Sequence, residues 1–313
     1  MEPKHEKYQR LIARTRTLEP VPCAVVHPCD ESSLRGAMEA AEARLIVPIL
    51  VGPEKRIRAV ASDCRLNLAG IAIVDAPHSE AAAERAVALA REGRVEALMK
   101  GSLHTDELMG AVVKRETGLR TNRRISHCFI MDVPTLEQAL IITDAAVNIA
   151  PTLQDKVHIV QNAIDLAHTL GRALPKVAIL SAMETVNPAV PSTLEAAALC
   201  KMADRGQITG GLLDGPLALD NAIDLTAARI KKIESPVAGL ADILVVPDLE
   251  AGNMLAKSLT FLAGADAAGI VLGARVPIIL TSRADSLMAR QASCAVAMLI
   301  AHSRREHLEK VVT

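Results

Sequence analysis

Aromatic side chains are almost missing from this sequence: Tyr8, Phe129 and Phe261 are the whole set, and there is no Trp. Single-stranded nucleic acid is gripped by stacking its bases on aromatic faces, so a binder of that kind is disfavoured. A surplus of positive charge is missing too. Lys and Arg total 35 against 36 Asp and Glu, a formal net charge of -1, whereas proteins that live on phosphate backbones carry a basic excess. Any anion must therefore be held by a local pocket. Long apolar runs are lacking as well; none approaches the ~18 residues of a membrane-spanning helix. The opening MEPKHEKYQR holds no apolar signal core. The expectation is a soluble cytoplasmic chain with no nucleic-acid and no membrane partner. The six cysteines (Cys23, Cys29, Cys64, Cys128, Cys200, Cys294) include no CxxC pair. That removes the spacing of a metal site or disulfide framework and leaves reduced, partly buried thiols.

What is present is aliphatic. Half of the residues are hydrophobic, mostly Ala, Val, Leu and Ile, enough for a core without staples. They fall in short apolar runs alternating with Ala-rich helical stretches. Strands are predicted at residues 23–27, 45–51, 71–74, 97–99, 176–180, 243–246 and 276–281. Helices are predicted at 31–43, 79–91, 192–204 with Ser192 as N-cap, 252–262 and 286–302. This alternation predicts an α/β fold with mainly parallel strands, and the unbroken run at 45–51 fits a strand covered on both faces. The expected molecule has two lobes with a cleft between them. Residues 1–145 with 290–313 form the first lobe and residues 146–289 the second.

Ligands of open α/β sheets sit at the carboxyl ends of strands, and three loops there are unusually polar. The first is Lys100-Gly101-Ser102-Leu103-His104-Thr105. Gly101 permits close approach of backbone to a ligand, Ser102 and Thr105 offer hydroxyls, Lys100 a cation, and the next helix its N–H groups. An ordinary strand-to-helix turn with Thr105 as N-cap is the alternative, and the spacing is not that of a Walker loop. The second runs from Pro247 to Lys257, where Asn253 and Lys257 lie one helical turn apart; a capped surface helix explains it equally. The third is Thr281-Ser282-Arg283-Ala284-Asp285-Ser286. There Arg283 beside a helix start suits bidentate phosphate binding, and a Ser282–Asp285 capping box is the structural alternative.

Around these loops the sequence resembles the phosphate acetyltransferase/phosphate butyryltransferase family. The resemblance is carried by LMKGSLHTDELM, ISHCFIMDVP, ITDAAVNIAP, GGLLDGPLALDNAI and the long stretch from SPVAGLADILVVPDLEAGN to ARVPIILTSRADS. It implies a two-lobed fold similar to isocitrate and isopropylmalate dehydrogenases, homodimeric or higher, with a site in the cleft. It implies transfer of a short acyl group between coenzyme A and inorganic phosphate by direct attack of the thiolate, with no covalent acyl-enzyme. No bound cofactor or metal is implied; coenzyme A is a substrate. By motif, Ser282 and Arg283 match the family's Ser-Arg pair. Arg283 would neutralise phosphate charge, and Ser282 would orient the reacting carbonyl. Lys100, Gly101, Ser102, Thr105, Arg120, Asn253 and Lys257 are the expected phosphate- and substrate-binding residues.

Three departures accompany the resemblance. The acetyltransferase branch places an aspartate base where this chain has Ala289. Asp285 is the nearest carboxylate and the expected base, and the SRADS form looks more like the butyryltransferase branch. An arginine in the helix after the first loop is replaced by Leu108-Met109-Gly110, with Arg120, Arg123 or Arg124 as substitutes. A cysteine within the equivalent of TDAAVN is Ala145 or a neighbour. Two other readings stand beside the transferase: a non-catalytic acyl-coenzyme A binder or regulator, and a metal-dependent dehydrogenase of the related fold using Asp214, Asp220, Asp242 and Asp248. His104, in the first loop, and His127, at the start of a strand, read as hydrogen-bonding or packing residues.

Overall fold

The computed structural model describes residues 6–280 and 285–312. Along the chain come α1 (Glu6–Ala13), β1 (Val21–Val26), α2 (Glu31–Glu42), β2 (Ile46–Gly52), α3 (Glu54–Asp63), β3 (Ala72–Asp75), α4 (Ser79–Arg91), β4 (Ala97–Lys100) and α5 (Thr105–Val112). Next are β5 (Ser126–Asp132), β6 (Leu140–Thr143), α6 (Leu153–Thr169), β7 (Lys176–Leu180), α7 (Pro191–Asp204) and β8 (Leu212–Leu217). Then follow α8 (Leu219–Ile223), α9 (Leu225–Ile230), β9 (Ile243–Val245), α10 (Leu249–Leu262), β10 (Asp266–Leu272), β11 (Ile278–Ile279) and α11 (Leu287–Val312). The chain divides into two compact units: Tyr8–Arg123 with the chain from Ala268 onward, and Arg124–Ala267 with the start of the chain up to Lys7. Both divisions precede the lobe bounds expected at 145 and 290.

In the first unit the strands run β3-β2-β1-β4-β11-β10, all parallel except that β10 is antiparallel to β11. Val25, Val26, Leu50, Leu98 and Ile279 are fully buried along these strands, as expected where helices cover a parallel sheet. Val47, the second residue of β2, is the exception at 50 % exposed, so the burial of that run on both faces is incomplete. The second unit orders its strands β5-β6-β9-β7-β8, parallel apart from the antiparallel pair β5/β6. Met131, Ile142, Leu217 and Leu244 lie in its apolar core. Lys7 is buried in this unit, donating to Asp132 Oδ1 at 2.8 Å and to the Val133 carbonyl at 3.0 Å. A charge taken out of water needs such a partner.

The mainly parallel α/β architecture matches the expectation, and several local readings change. The strand predicted at 23–27 ends at Val26, because His27 adopts φ 55° and turns the chain. The strand predicted at 276–281 is reduced to Ile278–Ile279. Pro191, not Ser192, opens α7, with Val190 as its cap; proline at the first helical position sacrifices no intrahelical hydrogen bond. Among the described residues, no helix is long and apolar enough to cross a membrane.

Candidate functional site

The carboxyl ends of β1 and β4 adjoin in the first unit, since Val26 pairs with Lys100. Each strand leads into a helix, and the two turns build one pocket. Asp30 caps α2 by accepting the Ser33 N–H at 2.8 Å. At the second turn, Glu107 reaches back to the His104 N–H at 2.7 Å. The cap of α5 is therefore His104 rather than the expected Thr105, which is the first helical residue. The pocket, about 330 Å³, is lined by Asp30, Ser32, Ser33, the run Lys100–Thr105 and Arg290. Lys100, Arg290, the hydroxyls of Ser32 and Thr105 and the starts of α2 and α5 meet in this lining beside the Asp30 carboxylate, and cations with helix starts suit an anion.

Two members of the run have other principal duties. A Cβ on Gly101 would lie 2.3 Å from the Val26 carbonyl oxygen and 2.7 Å from that of His27. The close approach that glycine permits is to the chain's own backbone. Ser102 Oγ donates to the His27 carbonyl at 2.8 Å and accepts from the Cys29 N–H at 3.2 Å, with His27 Nδ1 3.1 Å away. With its single proton on the carbonyl, the hydroxyl can only accept from the ring. His27 is then a donor to Ser102, not its base, and the pair is no nucleophilic dyad. Burial, followed by the charge of Arg56, pushes the His27 imidazole below its ordinary value.

Ser282 and Arg283 lie outside the described residues. Asp285 is described and half-buried. Its carbonyl accepts from Arg290 Nη1 at 2.8 Å, and Ser286 Oγ takes the Ala289 N–H at 3.1 Å. Ser286 thus caps α11; the expected Ser282–Asp285 box involves a residue outside the described ones. Ala289, where the acetyltransferase branch has its base, is 2 % exposed. Arg120 is exposed and joins Ala274 through an isolated backbone bridge; it does not line the pocket. Asn253 and Lys257 belong to the second unit, on α10. The Asn253 amide donates to the Ala145 carbonyl at 3.3 Å, and Lys257 is exposed. Sequence reasoning missed Arg290 and the Asp30–Ser33 turn. Both carried a signal: a cation in the first turn of a helix, against its dipole, and an Asp followed three residues later by Ser directly after a strand.

Other candidates resolve into supports. Asp242 binds Arg172 and the Lys176 N–H, Asp248 caps α10, and Asp214 accepts the Gly215 N–H. In TDAAVN, the Asp144 carboxylate accepts the N–H groups of Ala146, Val147 and Asn148 at 3.0, 3.0 and 3.2 Å, which makes it the organiser of a turn. All six cysteines are unbridged, and burial pushes the Cys128 thiol up to about 12, the opposite of a reactive thiolate.

His127 is 1 % exposed beside Phe129, and its Nδ1 has no hydrogen-bond partner among the described residues. Burial drives its imidazole from the ordinary 6.5 down to about 4, against the opposing pull of Asp144. The folded state then binds fewer protons than the unfolded state between these values. Its stability contribution is complete above 6.5 and is lost as pH falls through 4. Urea unfolding at pH 7 and pH 4.5 is expected to show an acid-induced loss on the order of 2 kcal/mol that His127→Gln removes. An equal loss in both proteins would refute the assignment.

Comparison with known proteins follows the same lines. Residues 79–298 match the family model described as "Phosphate acetyl/butaryl transferase". The chain is 68 % identical over 299 residues to a Rhizobium meliloti protein named "Phosphate acetyltransferase", an alignment spanning 96 % of this chain and 95 % of that one. It is 42 % identical over 292 residues to the "Probable phosphate butyryltransferase" of Bacillus subtilis, spanning 93 % and 97 %. A solved branched-chain phosphotransacylase from Enterococcus faecalis superposes with a TM-score of 0.79 at 31 % identity, over 90 % of this chain and 99 % of that one.

Proposed function

The chain belongs to the phosphate acetyl/butyryl transferase family, and from that premise we propose that it moves a short acyl group between coenzyme A and inorganic phosphate. The observation that carries this reading is the 68 % identity to a named phosphate acetyltransferase along nearly the whole chain. The same figure against 42 % for the butyryl relative favours acetyl over butyryl, although the SRADS motif resembles the butyryl branch.

In the forward direction the coenzyme A thiol gives up its proton, its sulfur bonds to the acyl carbon, and the carbon–oxygen bond to phosphate breaks. A base takes that proton and returns it to the departing oxygen, so the phosphate leaves as the hydrogen phosphate dianion. Asp285 is the base in this reading. Arg283 and Lys100 neutralise the phosphate, Ser282 orients the carbonyl, and Thr105 with the start of α5 completes the anion's surroundings. Support for the phosphate side comes from the pocket at β1 and β4, whose volume of about 330 Å³ suits an acyl phosphate rather than a whole coenzyme A. Gly101 and Ser102 hold the loop in place. Arg120, Asn253 and Lys257 receive no role here.

The test follows thiol consumption with acetyl, propionyl and butyryl phosphate plus coenzyme A, with no added metal. Fastest loss with acetyl phosphate is expected. Absence of turnover with all three, while coenzyme A still binds, would replace the enzyme by a regulatory acyl-coenzyme A binder.

A further inference from the structure

We propose that Arg290 is a positioning residue for acyl transfer, fixing the backbone that carries Asp285; the inference rests on the function proposed above. The residue stands in the first turns of α11, where the helix dipole disfavours a cation, so its presence calls for a local cause. Its guanidinium is a fork across two elements. Nη1 donates to the Asp285 carbonyl at 2.8 Å, and Nη2 donates to Glu39 Oε2 on α2 at 3.1 Å. The side chain passes over Gly36, where an added Cβ would stand 3.3 Å from both Cδ and Nε. Gly36 therefore keeps a lane open for it.

The remaining donor is informative. Nε is buried with no hydrogen-bond partner among the described residues, and a buried charged donor left unmet is costly. The side chain is placed by its two contacts, at the expense of the third. Those contacts join α2 to the residue just before the cap of α11, while Ser286 separately binds the Ala289 N–H at 3.1 Å. Residues 285 and 286 are thus fixed by independent bonds. Lysine cannot reproduce this, because an ammonium lacks the planar fork that reaches two acceptors at once.

The inference is tested by comparing Arg290→Ala, Arg290→Lys, Gly36→Ala and Glu39→Gln with wild type, alone and on an Asp285→Asn background. Amide exchange of residues 286–290 is followed alongside. A displacement of about 1 Å at a reacting group lowers turnover on the order of 10²-fold. That loss is expected in kcat for Arg290→Ala, with little change in KM for coenzyme A and faster exchange at 286–290. Arg290→Lys recovers part of it, since one of the two bonds survives. Gly36→Ala and Glu39→Gln give smaller losses of the same kind and carry the test if Arg290→Ala does not fold. On the Asp285→Asn background, Arg290→Ala costs no further turnover, because both act through one carboxylate. Equal losses in both backgrounds, or unchanged exchange at 286–290, would overturn the inference. A wild type that turns over no acyl phosphate refutes the function instead, and the exchange data alone then decide whether Arg290 clasps the backbone.

Discussion

Gly101→Ala is expected to lower kcat/KM on the order of 10²-fold and to destabilise the protein by about 1–3 kcal/mol. The cause is space rather than backbone conformation. The new methyl would sit 2.3 Å from the Val26 carbonyl oxygen, 2.7 Å from that of His27 and 2.8 Å from the His27 carbonyl carbon. All three are backbone atoms, so no rotamer change relieves the contact; strand end and turn must separate. Yet the Gly101 N–H donates to Val26 at 2.9 Å and the Ser102 N–H to His27 at 3.0 Å. Separation breaks these bonds together with the Ser102 hydroxyl contacts, and it moves Lys100 and Thr105 with them. Gly110 is the control. A Cβ there meets nothing within 4 Å, and it lies inside α5, where alanine stabilises a helix by about 1 kcal/mol relative to glycine. Gly110→Ala should keep full turnover and gain slightly in melting temperature. Wild-type kinetics in Gly101→Ala, measured beside that control, would show that the loop tolerates displacement.

The same loop marks how far the sequence alone could be read. Parallel strands such as β1, β4 and β7 were legible because buried strands are short unbroken apolar runs between turn residues. Of the pair β5/β6, a strand starting at His127 was legible, but its partner was not: β6 is only Leu140–Thr143 and runs directly into the polar turn organised by Asp144. The strand β8 likewise carries Asp214, Gly215 and Pro216, residues that argue against a strand interior. At the site, the six residues from Lys100 to Thr105 were found because they adjoin in sequence. Asp30, Ser33 and Arg290 enter the same pocket from distant segments, and only the pairing of β1 with β4 and the packing of α11 bring them together. Roles proved harder than places. Whether a serine offers its hydroxyl to a ligand or to its own backbone depends on a carbonyl 75 positions away, as for Ser102 and His27.

Asp285→Asn is expected to reduce kcat by roughly 10²- to 10⁴-fold, the range for removing a general base, with little change in KM for coenzyme A. Arg290 holds the main-chain carbonyl of residue 285, so the substitution leaves that bond in place. The asparagine side chain keeps the shape and loses the negative charge and the capacity to take a proton. The position where the acetyltransferase branch has its aspartate offers no substitute, since Ala289 is buried and its N–H is bound to Ser286. A carboxylate has hard work here. An ordinary thiol titrates near ~8.5 and an ordinary aspartate near ~3.9, so complete proton transfer before attack would be uphill by about 6 kcal/mol. Transfer concerted with carbon–sulfur bond formation avoids most of that barrier, because the thiol grows more acidic as its sulfur bonds to carbon. The rate in the variant should then rise with pH as free thiolate accumulates toward ~8.5, whereas the wild type should change less over the same range. Initial rates from pH 6.5 to 9 with saturating acetyl phosphate measure both predictions. Turnover equal to wild type at pH 7 would move the base to another residue, and a low rate that stays flat to pH 9 would give Asp285 a role other than taking the thiol proton.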